Sequence, residues 1–432
     1  MGFAHKKLAA DYIARNSKGK ALLSDAFPVQ GSIATNCLNS DVTDSAAAAT
    51  ALSTGRKTNK GMVGMLPDGS KPETILEAVK SKLNMAAGII TTTALTHATP
   101  ACFAAHVSSR GKEEEIALQL ASSGVDFLAG GGIRYFLPKG YADKKKDAFG
   151  KTIASVRKDS KSPLDIFKKA GYDVFTGHDG AAAFANYTPA KSSRVLAAFT
   201  DYHTPYQTDI AGNPKQNTPS LDVVVGKAIE TLSQNENGFF LIVEGGLIDQ
   251  AAHINDAAGV VYETAALDKA IGTAYSFYKL HPGETLIVVT ADHETGDLSS
   301  ESPKTDILQN ISISVDKLQS AYKGDTAAFY EVLSERFGLK SLDPSEKAMI
   351  DYAAALADAG KTASAYGGYS PPAIAASKIL NNRSGIIFGS YSHTAKKVPF
   401  SAVGVKSEQL KGISDNAALG GAMFELLGIA PS

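Results

Sequence analysis

An α/β fold with a central, mostly parallel β-sheet flanked by helices is predicted by three features of this chain. Short apolar runs rich in Ile, Val and Phe are bounded by Gly, Asn or Asp, helical patterns lie between them, and the chain is long enough for a large core. Ala86 to Thr92, Gly238 to Val243 and Glu284 to Thr290 predict buried strands. Pro72 to Leu83, Glu113 to Ser123, Val223 to Ser233 and Tyr262 to Tyr278 predict helices, and the last of these separates two of the strands.

The 432 residues are 44% apolar, sufficient for one large domain or two. Lys and Arg number 43 against 44 Asp plus Glu, so no global field recruits nucleic acid or a membrane surface, and partners must be recognised locally. No run approaches the roughly 18 apolar residues of a membrane span. Cys37 and Cys102 are expected to be small buried apolar residues rather than a disulfide.

Lys139 to Lys169 and Ala198 to Thr218 are polar and weakly periodic, and both predict surface excursions. The segment 305–384 carries candidate helices around Gln319, from Ala327 to Phe337 and from Pro344 to Ala359, followed by the flexible-looking Tyr366 to Pro372. The expected division is an α/β domain from 1–304 and 385–432, with 305–384 an inserted helical subdomain or extended surface region. Gly130, Gly131 and Gly132 lack the following Lys and Ser or Thr of a nucleotide phosphate loop and predict a tight turn.

Asp44 and Ser45 precede an alanine-rich segment to Ala51, a pattern that starts a helix because Asp or Ser caps orphan N–H groups and alanine propagates them. An anion above Ser45 would meet the positive end of that helix. An ordinary capped helix would look the same. The full string TDSAAAATALSTGRKTNKG, Thr43 through Gly61, closely resembles the nucleophile segment of alkaline phosphatases. The resemblance implies that Ser45 is transiently phosphorylated. A serine hydroxyl is a weak nucleophile at neutral pH and needs a metal or a base.

In LIVEGGLIDQAAH, Glu244 ends a predicted strand, and Asp249 and His253 follow at a spacing that puts them on one face of a helix. The pair alone is common on solvated helices. The whole string resembles the family's metal segment, which implies Glu244 at magnesium and Asp249 with His253 at a first zinc. TADHETG sets Asp292 and His293 just beyond a strand end, where a loop can turn both toward one ion. Its resemblance implies a second zinc there. SYSHTAKKVPFSAVG supplies His393, which by the same resemblance completes an open Asp-His-His site with Asp249 and His253. In ALTHATPACFAAHVSSR the match implies Thr99 at magnesium and Arg110 gripping two phosphate oxygens. His97 is expected to reach the magnesium through water, His106 to support the site from behind, and Gln250 to contact phosphate or water. His5, His178, His203 and His281 have no partner at a suggestive spacing and are expected to be structural or exposed.

The family opens with a buried strand ending in a Gly-Asp-Gly-Met-Gly-like turn whose Asp bridges two metals. This chain begins Met1-Gly2-Phe3 and matches that motif from its Met onward, so the N-terminal strand and that metal-binding Asp are expected to be missing. Taken together, the resemblance implies hydrolysis of phosphate monoesters through a phosphoserine at a site of two Zn2+ and one Mg2+. It also implies a broad small-molecule substrate range, a homodimer, and a periplasmic or extracellular location. The alternatives are a phosphodiesterase of the same superfamily and an inactive, metal-stabilised binding protein.

Overall fold

The computed structural model describes residues 1–16, 21–213, 215–361 and 364–430. Its largest sheet has five parallel strands in the order Asp173–Thr176, Val195–Ala198, Phe127–Gly131, Ala86–Ala94 and Phe239–Glu244. The three middle strands are buried along their whole length, as the near-continuous apolar runs of parallel strands require. A second, antiparallel sheet orders Val29–Ile33, Val398–Gly404 and Leu286–Val289. The three strands expected from periodicity are present, each within a few residues of its expected ends.

Helices cover the sheet where the apolar periodicity puts them, and local chemistry sets their ends. Thr74 and Glu77 form a capping box at the start of Ile75–Leu83, and Asn84 in the left-handed conformation closes that helix. The expected Tyr262 to Tyr278 helix is longer, Ala257–Leu280, because Asp256 caps it through Gly259 N–H. Gly130 and Gly131 end a strand, and Gly132, at φ 90°, makes the turn.

Three expectations are corrected. An N-terminal strand is not missing: after the helix Phe3–Asn16, Val29–Ile33 pairs in register with Val398–Ala402. Ala198 to Thr218 is not a surface excursion either, since Phe199, Thr200, Asp201, Tyr206, Thr208 and Asp209 are all buried. Lys139 to Lys169 contains a two-stranded ribbon, Ala142–Lys146 with Thr152–Ala154, and a helix, Pro163–Lys169, that buries Leu164 and Phe167. Weak periodicity hid these segments because their burial comes from single anchoring side chains and not from an apolar face. Cys37 and Cys102 are buried and unpaired, as expected.

The segment 305–384 contains helices Val315–Ala321, Thr326–Arg336, Pro344–Asp358 and Pro371–Arg383. Their buried Phe329, Leu333, Ile350 and Ile374 share one apolar cluster with Ala251, Val260 and Val261 of the sheet-covering helices. Two buried carboxylates tie this junction, and a third joins the helices beneath it. Asp209 accepts from Ser314 N–H and Oγ–H, Asp256 from Val315 N–H at 2.9 Å, and Glu263 from Gln207 N–H at 2.6 Å. Burial, reinforced by the neighbouring acids, raises Asp256 to about 6 and Glu263 to about 8.

Glu263 therefore holds a proton in the native state that the unfolded chain has released, so its contribution to stability falls as pH climbs from about 4.5 toward about 8. Glu263→Gln keeps the acceptor for Gln207 N–H and removes that titration. The urea midpoint of the variant should fall less than that of the parent between about pH 6 and about pH 9. Parallel pH profiles would refute the assignment.

Candidate active site

The site gathers at one end of the parallel strands and is built outward from the helix Ser45–Thr54. Asp44 caps that helix through Ala47 N–H at 3.1 Å, and Gly55, at φ 69°, closes its other end. Ser45, 2% exposed, is its first residue, and its Oγ lies 2.9 Å from His293 Nε2. His293 Nδ1 faces Thr295 Oγ1 at 3.1 Å, and that hydroxyl donates to Asp249 Oδ1 at 2.5 Å. The threonine oxygen is thus the acceptor for His293 Nδ1–H, and Nε2, 2.9 Å from Ser45 Oγ, donates to Asp292 Oδ2 at 3.0 Å, a contact that raises the proton affinity of His293 against the effect of its burial.

Asp249 and His253 stand on the helix Leu247–His253, and His393 enters on a short strand paired with Glu294–Thr295. The ligand atoms of Asp249, His253 and His393 all lie within 4.8 Å of one another. His253 Nδ1 contacts Tyr391 O at 2.7 Å and His393 Nδ1 contacts Thr43 O at 3.0 Å. Carbonyls only accept, so both Nδ1 atoms carry the proton and both Nε2 atoms present lone pairs. Those two nitrogens face each other at 3.0 Å, with Asp249 Oδ1 3.5 Å from one and 3.7 Å from the other. Two lone pairs and a carboxylate oxygen converging this way suit a shared cation, and the donor set is one that zinc takes.

Electrostatics agree with the geometry. Burial favours protonation of Asp249, but His253, His293 and His393 outweigh it and hold its carboxyl well below the usual range. Burial likewise opposes ionisation of Asp292, and His293 reverses it. Burial and the neighbouring His293 push His393 down to about 4, keeping its ring neutral and free to ligate.

Glu244 ends its strand with its carboxylate accepting from Thr91 Oγ1 and, at 3.1 Å, from Thr93 Oγ1. Burial raises it to about 7. Thr99 Oγ1 reaches Asp292 Oδ2 at 3.4 Å, which links the Glu244 and Asp292 neighbourhoods. Arg110 is held at both terminal nitrogens: Nη1 donates to Asp44 Oδ2 at 3.1 Å, and Nη2 donates to His97 Nε2 at 3.2 Å. Gln250 donates to Asp249 Oδ2 at 3.1 Å.

His106 lies apart from these groups. It bonds Glu77 and Gly64 O and braces the loop that follows the Ser45 helix. Two residues that sequence spacing passed over belong to the site. Asp44 orients Arg110 as well as capping the helix, and His203 packs edge-to-face on His97 with ring centroids 5.7 Å apart. The Asp44 role was signalled only by its place beside Ser45, and nothing local in sequence marks His203. His5 is buried, with Nδ1 accepting from Gly2 N–H at 3.1 Å, and burial lowers it to about 3.

A serine at a helix entrance, set among imidazoles and carboxylates suited to a cation, on a parallel α/β sheet, defines a hydrolase of the metal-dependent kind. The chain belongs to the alkaline phosphatase family, whose pattern matches residues 4–429, and is a phosphomonoesterase. It is 31% identical over 398 residues to alkaline phosphatase 4 of Bacillus subtilis (strain 168), covering 90% of this chain and 77% of that protein. The cold-active alkaline phosphatase of the psychrophile Shewanella sp. superimposes with a TM-score of 0.81 at 28% identity, covering 99% of this chain and 97% of that one. For the Thermus thermophilus alkaline phosphatase the TM-score is 0.83 at 26% identity, with 99% and 89% covered. The expectation of a chain incomplete at its N-terminal strand and metal site is corrected: the family match runs from residue 4, and the candidate metal-binding triad of Asp249, His253 and His393 is present.

Asp44 can be tested for its two tasks separately. Asp44→Asn keeps a cap acceptor and weakens the hold on Arg110, so inhibition by inorganic phosphate should weaken several-fold with little change in thermal stability. Asp44→Ala should lose the cap as well, costing about 1 kcal/mol in denaturant titration.

Proposed function

We propose that this phosphomonoesterase works by two in-line displacements at phosphorus through a phosphoserine at Ser45. The observation that carries this reading is Ser45 Oγ at the entrance of a helix, 2.9 Å from His293 Nε2. In the first displacement Ser45 Oγ forms a bond to phosphorus as the bond to the departing alcohol oxygen breaks. In the second, a water oxygen bonds to phosphorus from the opposite side and the Ser45 Oγ–P bond breaks, releasing inorganic phosphate.

Arg110 grips two phosphoryl oxygens through both steps, and its contacts to Asp44 and His97 fix the plane of the guanidinium. The N-terminal end of the Ser45 helix adds a favourable field for the anion. Asp249, His253 and His393 would hold one Zn2+, Asp292 and His293 a second, and Glu244 with Thr99 one Mg2+. His97 and Gln250 reach the surrounding water and phosphate. When bound, these ions supply the Lewis acidity that lowers the proton affinity of water and hydroxyl groups and offsets the charge of the transferring group. Support for the first zinc comes from the convergent Nε2 lone pairs and for the rest from the clustering of acceptors.

Recognition centres on the phosphoryl group, so the substrates are a broad range of small phosphate monoesters, and a near-zero net charge gives no general attraction for nucleic acid. Among the described residues no helix is long and apolar enough to cross a membrane. By family resemblance the enzyme acts as a homodimer in the periplasm or outside the cell, with 1–304 and 385–432 as its catalytic domain and 305–384 as an inserted helical subdomain.

Ser45→Ala should lower kcat for an aryl phosphate by at least about a thousandfold and abolish the phosphorylated species trapped at low pH in intact-mass spectra. A phosphoryl group retained in the variant would overturn the nucleophile. Dialysis against a chelator should remove activity and lower Tm, with zinc and magnesium together restoring both and elemental analysis giving two zinc and one magnesium per chain. His393→Ala should lose one zinc equivalent. Equal turnover of simple diesters and monoesters would favour a phosphodiesterase.

A further inference from the structure

His203 sits on a segment fixed to the central strand Ala86–Ala94 from several sides. Thr204 donates to Thr92 O from both N–H, at 3.0 Å, and Oγ1, at 2.7 Å. A Cβ added at Gly131 would fall 1.8 Å from Tyr202 O, so the segment lies directly on the neighbouring strand. The Tyr202 ring carries the Arg134 guanidinium at 3.6 Å and lies 4.0 Å, centroid to centroid, from the ring of His203. His203 Nδ1 accepts from Ala94 N–H at 3.0 Å, while the carbonyl of Ala94 accepts from His97 N–H at 2.8 Å. One residue of the strand thus anchors both histidines.

Among the described residues the His97 ring has a single polar partner of its own. Its Nε2 meets Arg110 Nη2 at 3.2 Å, and its buried Nδ1 has no hydrogen-bond partner among those residues. A ring tethered at one nitrogen can turn about its Cβ–Cγ bond unless packing stops it. The edge-to-face contact with His203, at an interplanar angle of 86°, supplies that packing.

We propose that His203 is a positioning residue. It fixes the ring of His97 and, through it, the plane in which Arg110 presents its guanidinium to phosphate. The inference rests on the role given to Arg110 above. His203 touches no reacting atom, and its effect belongs in oxyanion binding and orientation. Its rigidity matters because Arg110 is only as well aimed as its two supports: Asp44 acts at one nitrogen, and the His97–His203 pair at the other.

The test uses the metal-loaded enzyme at saturating zinc and magnesium, with inorganic phosphate as the probe and an aryl phosphate as substrate. His203→Asn keeps an acceptor for Ala94 N–H and removes the ring, while His203→Phe keeps a ring face and removes the acceptor. His203→Asn should weaken phosphate inhibition by about threefold to tenfold at unchanged Tm and metal content, and His203→Phe should recover most of that loss. In an Arg110→Ala background, His203→Asn should change phosphate binding no further. An undiminished effect of His203→Asn in that background, or no effect in the parent enzyme, would overturn the proposal. If Arg110→Ala by itself left phosphate binding intact, the role of Arg110 would fall first and that of His203 with it.

Discussion

Two imidazole nitrogens, His253 Nε2 and His393 Nε2, are aimed at one another across 3.0 Å with the carboxylate of Asp249 beside them, and much of the surrounding structure exists to hold them so. Left to themselves, such groups would turn away or take up a proton. Here each ring is locked by a backbone carbonyl at its other nitrogen, and those carbonyls belong to Tyr391 and Thr43, far apart in the chain. The cost of desolvating the carboxylate is met by three neighbouring imidazoles. The backbone thus fixes the orientation of both rings toward one shared point.

The same lock couples the triad to Ser45, the proposed nucleophile. Thr43, whose carbonyl holds His393, lies two positions before Ser45 and immediately before the cap residue Asp44. Asp44 in turn accepts from Ala47 N–H, from Gly61 N–H and from Arg110. A displacement of this short segment would move the His393 imidazole, the Ser45 hydroxyl proposed to attack and the Arg110 guanidinium proposed to grip phosphate together. Three functions share one backbone turn, and their relative geometry therefore depends on the helix entrance staying capped.

How much of this was legible in the sequence depends on whether a residue's role is local. The buried strands and amphipathic helices were readable because burial on a whole face leaves a period. Ser45, Asp249, His253, Asp292, His293 and His393 were readable because each sits in a string that carries its own resemblance, and the structure brings them together. His203 was not, because its partners Ala94 and His97 are remote in sequence and its own neighbours, Tyr202 and Thr204, look like loop. The segment from Phe199 to Asp209 reads as surface because its burial is achieved by residues such as Thr208 and Asp209, whose polarity hides it. Val29–Ile33 leaves no such trace, because it reads VQGSI, with a Gly and two polar residues in place of an apolar run. Pairing with the strongly apolar Val398–Gly404 compensates for that weak propensity.

Two pairs of desolvated acids sit in contrasting surroundings, Asp249 with Asp292 and Asp256 with Glu263. Asp249 and Asp292 are surrounded by imidazoles and are kept ionised against burial. Asp256 and Glu263 face other carboxylates, are raised by burial, and spend their oxygens on the N–H groups of Val315, Gly259 and Gln207. The first pair offers charge and lone pairs to a ligand, whereas the second is consumed in joining segments of backbone. What surrounds a carboxylate decides here whether it is kept ionised, and burial by itself does not.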